Sequence, residues 1–337
     1  MTDRQSKATD TREETAGSRV QLSIWELAWP SVLSNLLFSL TGLVATKVVA
    51  ELGAPAAAAA SVGNQVFFSM QAILMAVSVG TTALVARAWG AEDREEAECA
   101  TTTSLFLGAA FALFMTSVGM GFAYRIAGLF GLEPDTTALA GDFIYWLSLF
   151  NVAFAVNFIM SAALRAAGDA RTPLWIGVAT NLISVVLLYA LVFGNFGAPA
   201  LGVKGAAIAN GIAFSAAGLV TLLCWFSGRL LLPFGGISCG EILESERVRR
   251  LLQVGYPAAL EQGVFRIGFF VFLWVIGNFY GTDAFAAYGI GVNILSLCFV
   301  VGLGFSIAGA TLVGQHLGAG EQEEAAASGW RSLRWAM

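Results

Sequence analysis

Residues 80–97 read GTTALVARAWGAEDREEA, and residues 308–325 read AGATLVGQHLGAGEQEEA. At a constant shift of 228 positions, Leu84, Val85, Gly90, Ala91, Glu96 and Ala97 fall on Leu312, Val313, Gly318, Ala319, Glu324 and Ala325. The same shift carries Gly53 onto Gly281, Gly63 onto Gly291 and Ser78 onto Ser306, and one residue less carries Pro30 onto Pro257. A repeat of this kind means that one structural unit occurs twice in the chain. Within each copy an apolar helix runs into Gly90 or Gly318. Either glycine can take the left-handed conformation that ends a helix. The acids that follow, Glu92 to Glu96 and Glu321 to Glu324, suit the positive first turn of a next helix. Asp93 and Glu96 have the spacing of a capping box. The motif therefore predicts a helix–turn–helix corner, used twice.

Composition sets the solvent of these helices. Of 337 residues, 57% are hydrophobic and 12% charged, against roughly 25% charged in a soluble protein. The chain is read as an all-α, polytopic membrane helix bundle with no β-sheet. A net charge of -5 argues against nucleic acid as a partner. Four cysteines without regular spacing and a single histidine, His316, offer no redox framework and no histidine metal site. No cluster of His, Asp or Ser has catalytic spacing, so no catalytic residue and no enzyme activity are expected.

A span needs about 20 mostly apolar residues. Eight are read, near 22–50, 56–86, 94–123, 137–164, 172–196, 202–227, 248–279 and 284–316, with a ninth beginning near 322. The polar stretch 1–21 is a cytosolic tail, 22–227 a six-helix lobe, 228–247 a cytosolic connector and 248–337 a partial second lobe of about two and a half spans. With the N-terminus in the cytosol, twelve Lys and Arg lie inside, including Arg87, Arg94, Arg165, Arg171 and Arg247, against Lys47, Arg125 and Lys204 outside. That bias is the one expected of a positive inner face. Six spans separate the two corners, so both return to one side. The lobes are then parallel, related by a pseudo-two-fold along the membrane normal, and expected to hold substrate in the cleft between them.

Four segments then carry a resemblance: the repeated corner, LRAAGDARTP at 164–173, LGVKGAAIA at 201–209 and YGTDAFAAYGI at 280–290. In order and position at span boundaries they resemble the multidrug and toxic compound extrusion (MATE) family. The resemblance implies twelve spans in two six-span lobes, which leaves three and a half spans beyond Met337. It implies a multidrug efflux antiporter of the inner membrane, acting as a monomer, that exports cationic or amphipathic small molecules against H+ or Na+ without another cofactor. One branch of the family carries acids in spans 1 and 5 of the first lobe; here those positions are Ala45 and Val185, and only Asn181 remains of the set. A lipid-linked precursor flippase of the same superfamily and a non-transporting fragment are the alternatives.

Ionisable groups inside a span default to functional hypotheses. Glu261 is the one carboxylate placed well inside a span, one turn past Pro257. It is read either as the site of the coupling ion or as a structural partner of Arg266 or the backbone. Carboxylates in low dielectric exchange protons near neutrality. Asn35, Asn181, Gln262, Arg266, Tyr288 and Asn293 are cavity-lining candidates, with interhelical bonding as the alternative use of the polar ones. Pro30 and Pro257 each delete a backbone donor inside a span, giving either a fixed kink or a hinge that bends during transport. Trp25, Trp29 and Trp146 read as interfacial anchors.

Overall fold

The computed structural model describes residues 23–232, 244–279 and 281–337, with side chains 266, 269–270, 273–274, 276–279 and 281–298 outside the description. The tail 1–22 and connector residues 233–243 lie outside the described residues. Among the described residues the α-helices are, in order, α1 Ile24–Ala50, α2 Ala54–Gly90, α3 Arg94–Gly128, α4 Pro134–Leu149, α5 Asn151–Ala166, α6 Arg171–Phe193, α7 Val203–Phe226, α8 Ser245–Phe279, α9 Gly281–Gly318 and α10 Gln322–Ala336. Among the same residues there is no strand. By length and composition α1, α2, α3, α6, α7 and Phe299–Gly318 of α9 can each cross a membrane, and α4 with α5 makes a seventh when the bent pair is taken as one span. Among the described residues α8, read as span 7, is not in this set.

The ends of the helices follow local sequence. Ser23 and Glu26 close α1 with a full capping box. Glu26 N donates to Ser23 Oγ at 3.2 Å. Ser23 N donates to Glu26 Oε2 at 3.1 Å. Gly168, at φ 99°, follows the end of α5, with Asp169 N donating to Leu164 O. Asp169 then accepts from Arg171 N and Thr172 N at the start of α6.

The single span expected over 137–164 is two helices. They meet at Phe150 and bend by 52°. Neither proline nor glycine stands at the break; polar side chains from neighbouring helices support it instead. Thr116 Oγ1 of α3 donates to Ser148 O at 3.0 Å. Buried Asn151 accepts from Gln71 Nε2 of α2 at 2.8 Å and donates to Ala112 O of α3 at 3.3 Å. Backbone groups freed inside a bilayer are tolerated when neighbours satisfy them in this way.

Helix α2 is the axis of the bundle. It packs on α3, α4 and α5 within the first lobe (α1–α7) and on α8 and α9 of the second. Small residues bring its neighbours close, as suits helices that cannot associate by the hydrophobic effect in lipid. An apolar core toward the end opposite the corners joins α1, α2, α3, α4, α6 and α7 around Val48, Phe67, Phe143, Ile144 and Leu188. A second core, around Val85, Met160, Leu164 and Trp225, fills the corner end.

Candidate functional site

The seam between the lobes is built from α1 and α2 on one side and α8 and α9 on the other. Helix α1 packs on α9, α8 packs on α2, and α2 packs on α9. Under the repeat, α1 corresponds to α8 and α2 to α9. The first two contacts are thus one contact seen twice, and the third is paired with itself, the signature of an isologous two-fold interface.

The residues at the corner obey the same exchange. A Cβ on Gly90 would collide with the Gln315 carbonyl, and one on Gly318 with the Arg87 carbonyl. Gln315 is the repeat partner of Arg87 as Gly318 is of Gly90. On the axis, Gly314 faces its own partner, Ala86. Two helix backbones therefore touch at glycines on both sides of the axis.

This geometry corrects the expected role of Gly90 and Gly318. Neither takes the left-handed turn; both end their helices in close packing. The left-handed residue lies two positions on, Glu92 at φ 62° in the first copy and Gly320 at φ 79° in the second. Each copy closes with the same pair of bonds. Asp93 N donates to Ala88 O and Glu92 N to Trp89 O; Glu321 N donates to His316 O and Gly320 N to Leu317 O. These are Schellman motifs, one in each copy of the repeat. The expected capping box is half formed. Asp93 Oδ1 accepts from Glu96 N at 2.9 Å, but the Glu96 carboxylate turns away to Arg247.

The described close approaches between lobes lie toward the corner end. Gly80 meets Leu251, Gly255 meets Ala76 and Gly304 meets Val32. Gln315 Nε2 of α9 donates to Ala166 O of α5 at 2.8 Å. Leu27, Ala28 and Ala170 pack with Phe305, Ala308 and Leu312, while Leu251 inserts among Leu74, Val77 and Ile159. Beyond these residues α1 and α8 carry exposed apolar side chains, among them Phe38, Leu40, Leu260, Val264 and Phe265.

A cavity of about 270 Å³ opens between α1 and α9, lined by Trp25, Trp29, Val32, Leu33, Leu36, Val301 and Phe305. Its lining is apolar, and most of it comes from one face of α1. Trp25 stacks obliquely on Phe305 and on Trp335 of α10, at centroid distances of 6.0 and 6.4 Å. Trp25 and Trp29, expected only as interfacial anchors, are also walls of this cavity. Their spacing of four on one helix was the available signal; the α9 side could not be paired with it from sequence.

The candidate polar residues distribute around the seam. Glu261 is exposed on α8, one turn past Pro257, with Gln262 half-buried beside it. Asn35 is half-buried on α1. Asn181 on α6 donates to its own helix at Gly177 O, 2.8 Å, instead of to a neighbouring span. Nearly one turn on, Ser184 donates to Asn210 Oδ1 of α7 at 2.6 Å. Ala45 packs against the first-lobe core, so the span-1 position of the absent acid is filled by apolar contact. Arg266, Tyr288 and Asn293 lie on α8 and α9, and their side chains fall outside the described residues. Helices α1 and α8 run without interruption through Pro30 and Pro257.

Comparison with known proteins gives a consistent pattern. The MatE family model matches residues 30–190 and 257–337, two stretches that begin at Pro30 and Pro257. The probable multidrug resistance protein NorM of Thermotoga maritima is 32% identical over 313 residues, covering 93% of this chain and 66% of that protein. The probable multidrug resistance protein YoeA of Bacillus subtilis is 26% identical, covering 87% and 63%. The chain thus spans slightly less than two thirds of the length of these relatives. Among solved structures, a MOP superfamily transporter from Pyrococcus furiosus superposes with a TM-score of 0.85 at 22% identity, over 92% of this chain and 68% of that one. An outward-facing multidrug resistance MATE family transporter superposes with a TM-score of 0.84 at 23% identity, again over 92% and 68%.

Proposed function

The chain belongs to the MatE family, a family of multi-pass membrane transporters, and from that premise we propose that it carries the ion-coupled export of organic cations or amphipathic drugs. One observation carries this reading. Two repeat-related lobes meet across a pseudo-two-fold axis, α1 on α9 as α8 on α2. A parallel pair of lobes of this kind can expose a central cleft to one side of the membrane at a time. The names of the relatives, multidrug resistance proteins, support the substrate class. The excess of Lys and Arg on the corner side supports an inner-membrane orientation with the N-terminus and both corners in the cytosol.

Ion coupling in this reading falls to Glu261. The first lobe has Ala45 and Val185 where one branch of the family has acids. Glu261 stands on α8, which lines the seam, one turn past Pro257. Neutralising that carboxylate changes the charge seen by a cationic substrate in the same cleft. The two binding events are then coupled reciprocally. Pro30 and Pro257, at equivalent positions in α1 and α8, are the proposed hinges.

The test uses the full-length protein in proteoliposomes, with ethidium as the organic cation and an imposed proton or Na+ gradient. Gradient-driven ethidium movement is expected for the wild type. Glu261→Gln should lose gradient dependence and drug resistance while being expressed and folded as before. Wild-type resistance in that variant removes the coupling role.

A further inference from the structure

We propose that Glu96 and Arg247 form a latch between the two lobes, made while the corner ends are together and broken when they part. The pair joins the first turn of α3 to the first turn of α8, residues 151 positions apart. Arg247 Nε donates to Glu96 Oε1 at 3.2 Å. Arg247 Nη2 donates to Glu96 Oε2 at 2.8 Å. Such a two-pronged bond has a defined orientation. Glu244 Oε2 adds a second carboxylate at 3.0 Å. The surrounding contacts tie the pair to lobe separation. Arg247 is 8% exposed, and further along the same helix α8 is drawn against α2 at Gly80 and Gly255.

Two properties fit a latch better than a fixed cap. The Arg247 cation sits against the closed seam, so parting the lobes exposes it to water and weakens the need for the pair. The Glu96 side chain is still 35% exposed, which keeps the interaction modest and reversible. The latch rests on the alternating-access reading given above, and its test separates the two.

The experiment uses the full-length protein in nanodiscs, native cysteines replaced, with spin labels at Glu95→Cys and Arg249→Cys. Both positions are exposed and flank the pair. The label-to-label distance distribution is compared among wild type, Glu96→Gln, Arg247→Gln and the double variant, each checked for monodispersity. Each single change is expected to raise the ratio of long- to short-distance populations by up to about fivefold. The double variant should go no further than the singles, because the two residues act as one unit. Unchanged distributions in the singles overturn the latch, as do single effects that multiply in the double. Ethidium transport is measured on the same samples. A protein that shows the latch behaviour but moves no cation refutes the export reading alone.

Discussion

Glu92 holds a left-handed backbone at φ 62° where its repeat partner is Gly320 at φ 79°. A side chain with a Cβ costs roughly 1 kcal/mol in that region, and glycine carries no such cost. Glu92→Gly is therefore expected to stabilise the first corner by up to about 1 kcal/mol. Gly320→Ala should destabilise the second corner by a similar amount. Thermal unfolding of the purified protein in detergent, followed by loss of monodispersity, checks both signs. The result separates two jobs that the sequence merged. Reading Gly90 and Gly318 as helix stops was natural, because a glycine followed by acids usually is one. Only the neighbouring backbone reveals why glycine is required there: Gln315 and Arg87 carbonyls occupy the space of a Cβ. That requirement comes from a helix of the other lobe, far away in sequence, so no local pattern contains it. Finding Glu261 one turn past Pro257, by contrast, needed only the sequence.

At the scale of elements, most helices were legible because long apolar runs have few other solutions in a membrane. The exception is the bent pair α4–α5, where WLSLFNVA carries no helix breaker. The amides of Gln71 and Asn151 in otherwise apolar spans were the available hint, and their pairing across α2 and α5 is tertiary information. Gln71 Nε2 to Asn151 Oδ1 is a buried bond of 2.8 Å, and Gln71 Oε1 has no hydrogen-bond partner. Removing one member strands the other in a dry environment, which costs about 1–3 kcal/mol. Removing both with apolar groups of similar size is nearly neutral for the pair itself. Gln71→Leu and Asn151→Leu are each expected to lower thermal stability. The double variant should recover most of the Gln71→Leu loss that stems from the orphaned Asn151 oxygen. Additive losses in that cycle would mean that the two amides support the bend independently. Asn151 also holds Ala112 O, so the double is not expected to reach wild type.

For the whole molecule, one duplication accounts for the arrangement of both lobes. The repeat fixes which helices correspond. The even number of spans between corners fixes that the copies are parallel. The seam then follows: α1 on α9 is the image of α8 on α2, and α2 on α9 is its own image. Sequence alone supplies the first two steps. The third required knowing that glycines at equivalent positions abut each other's carbonyls, Gly90 to Gln315 and Gly318 to Arg87. Corners in contact must lie on one face of the membrane, and the positive-inside rule predicts the cytosolic face. Single cysteines at Glu92 and Glu323, both exposed at their corners, give a direct check in the full-length protein with native cysteines replaced. A membrane-impermeant maleimide is expected to label both in inverted vesicles and neither in intact cells. Labelling of both from outside would reverse the orientation but keep the two-fold. Labelling of one corner from each side would break the parallel relation, and with it the seam, the latch and the cleft, because an antiparallel second lobe could not place Gly318 against Arg87.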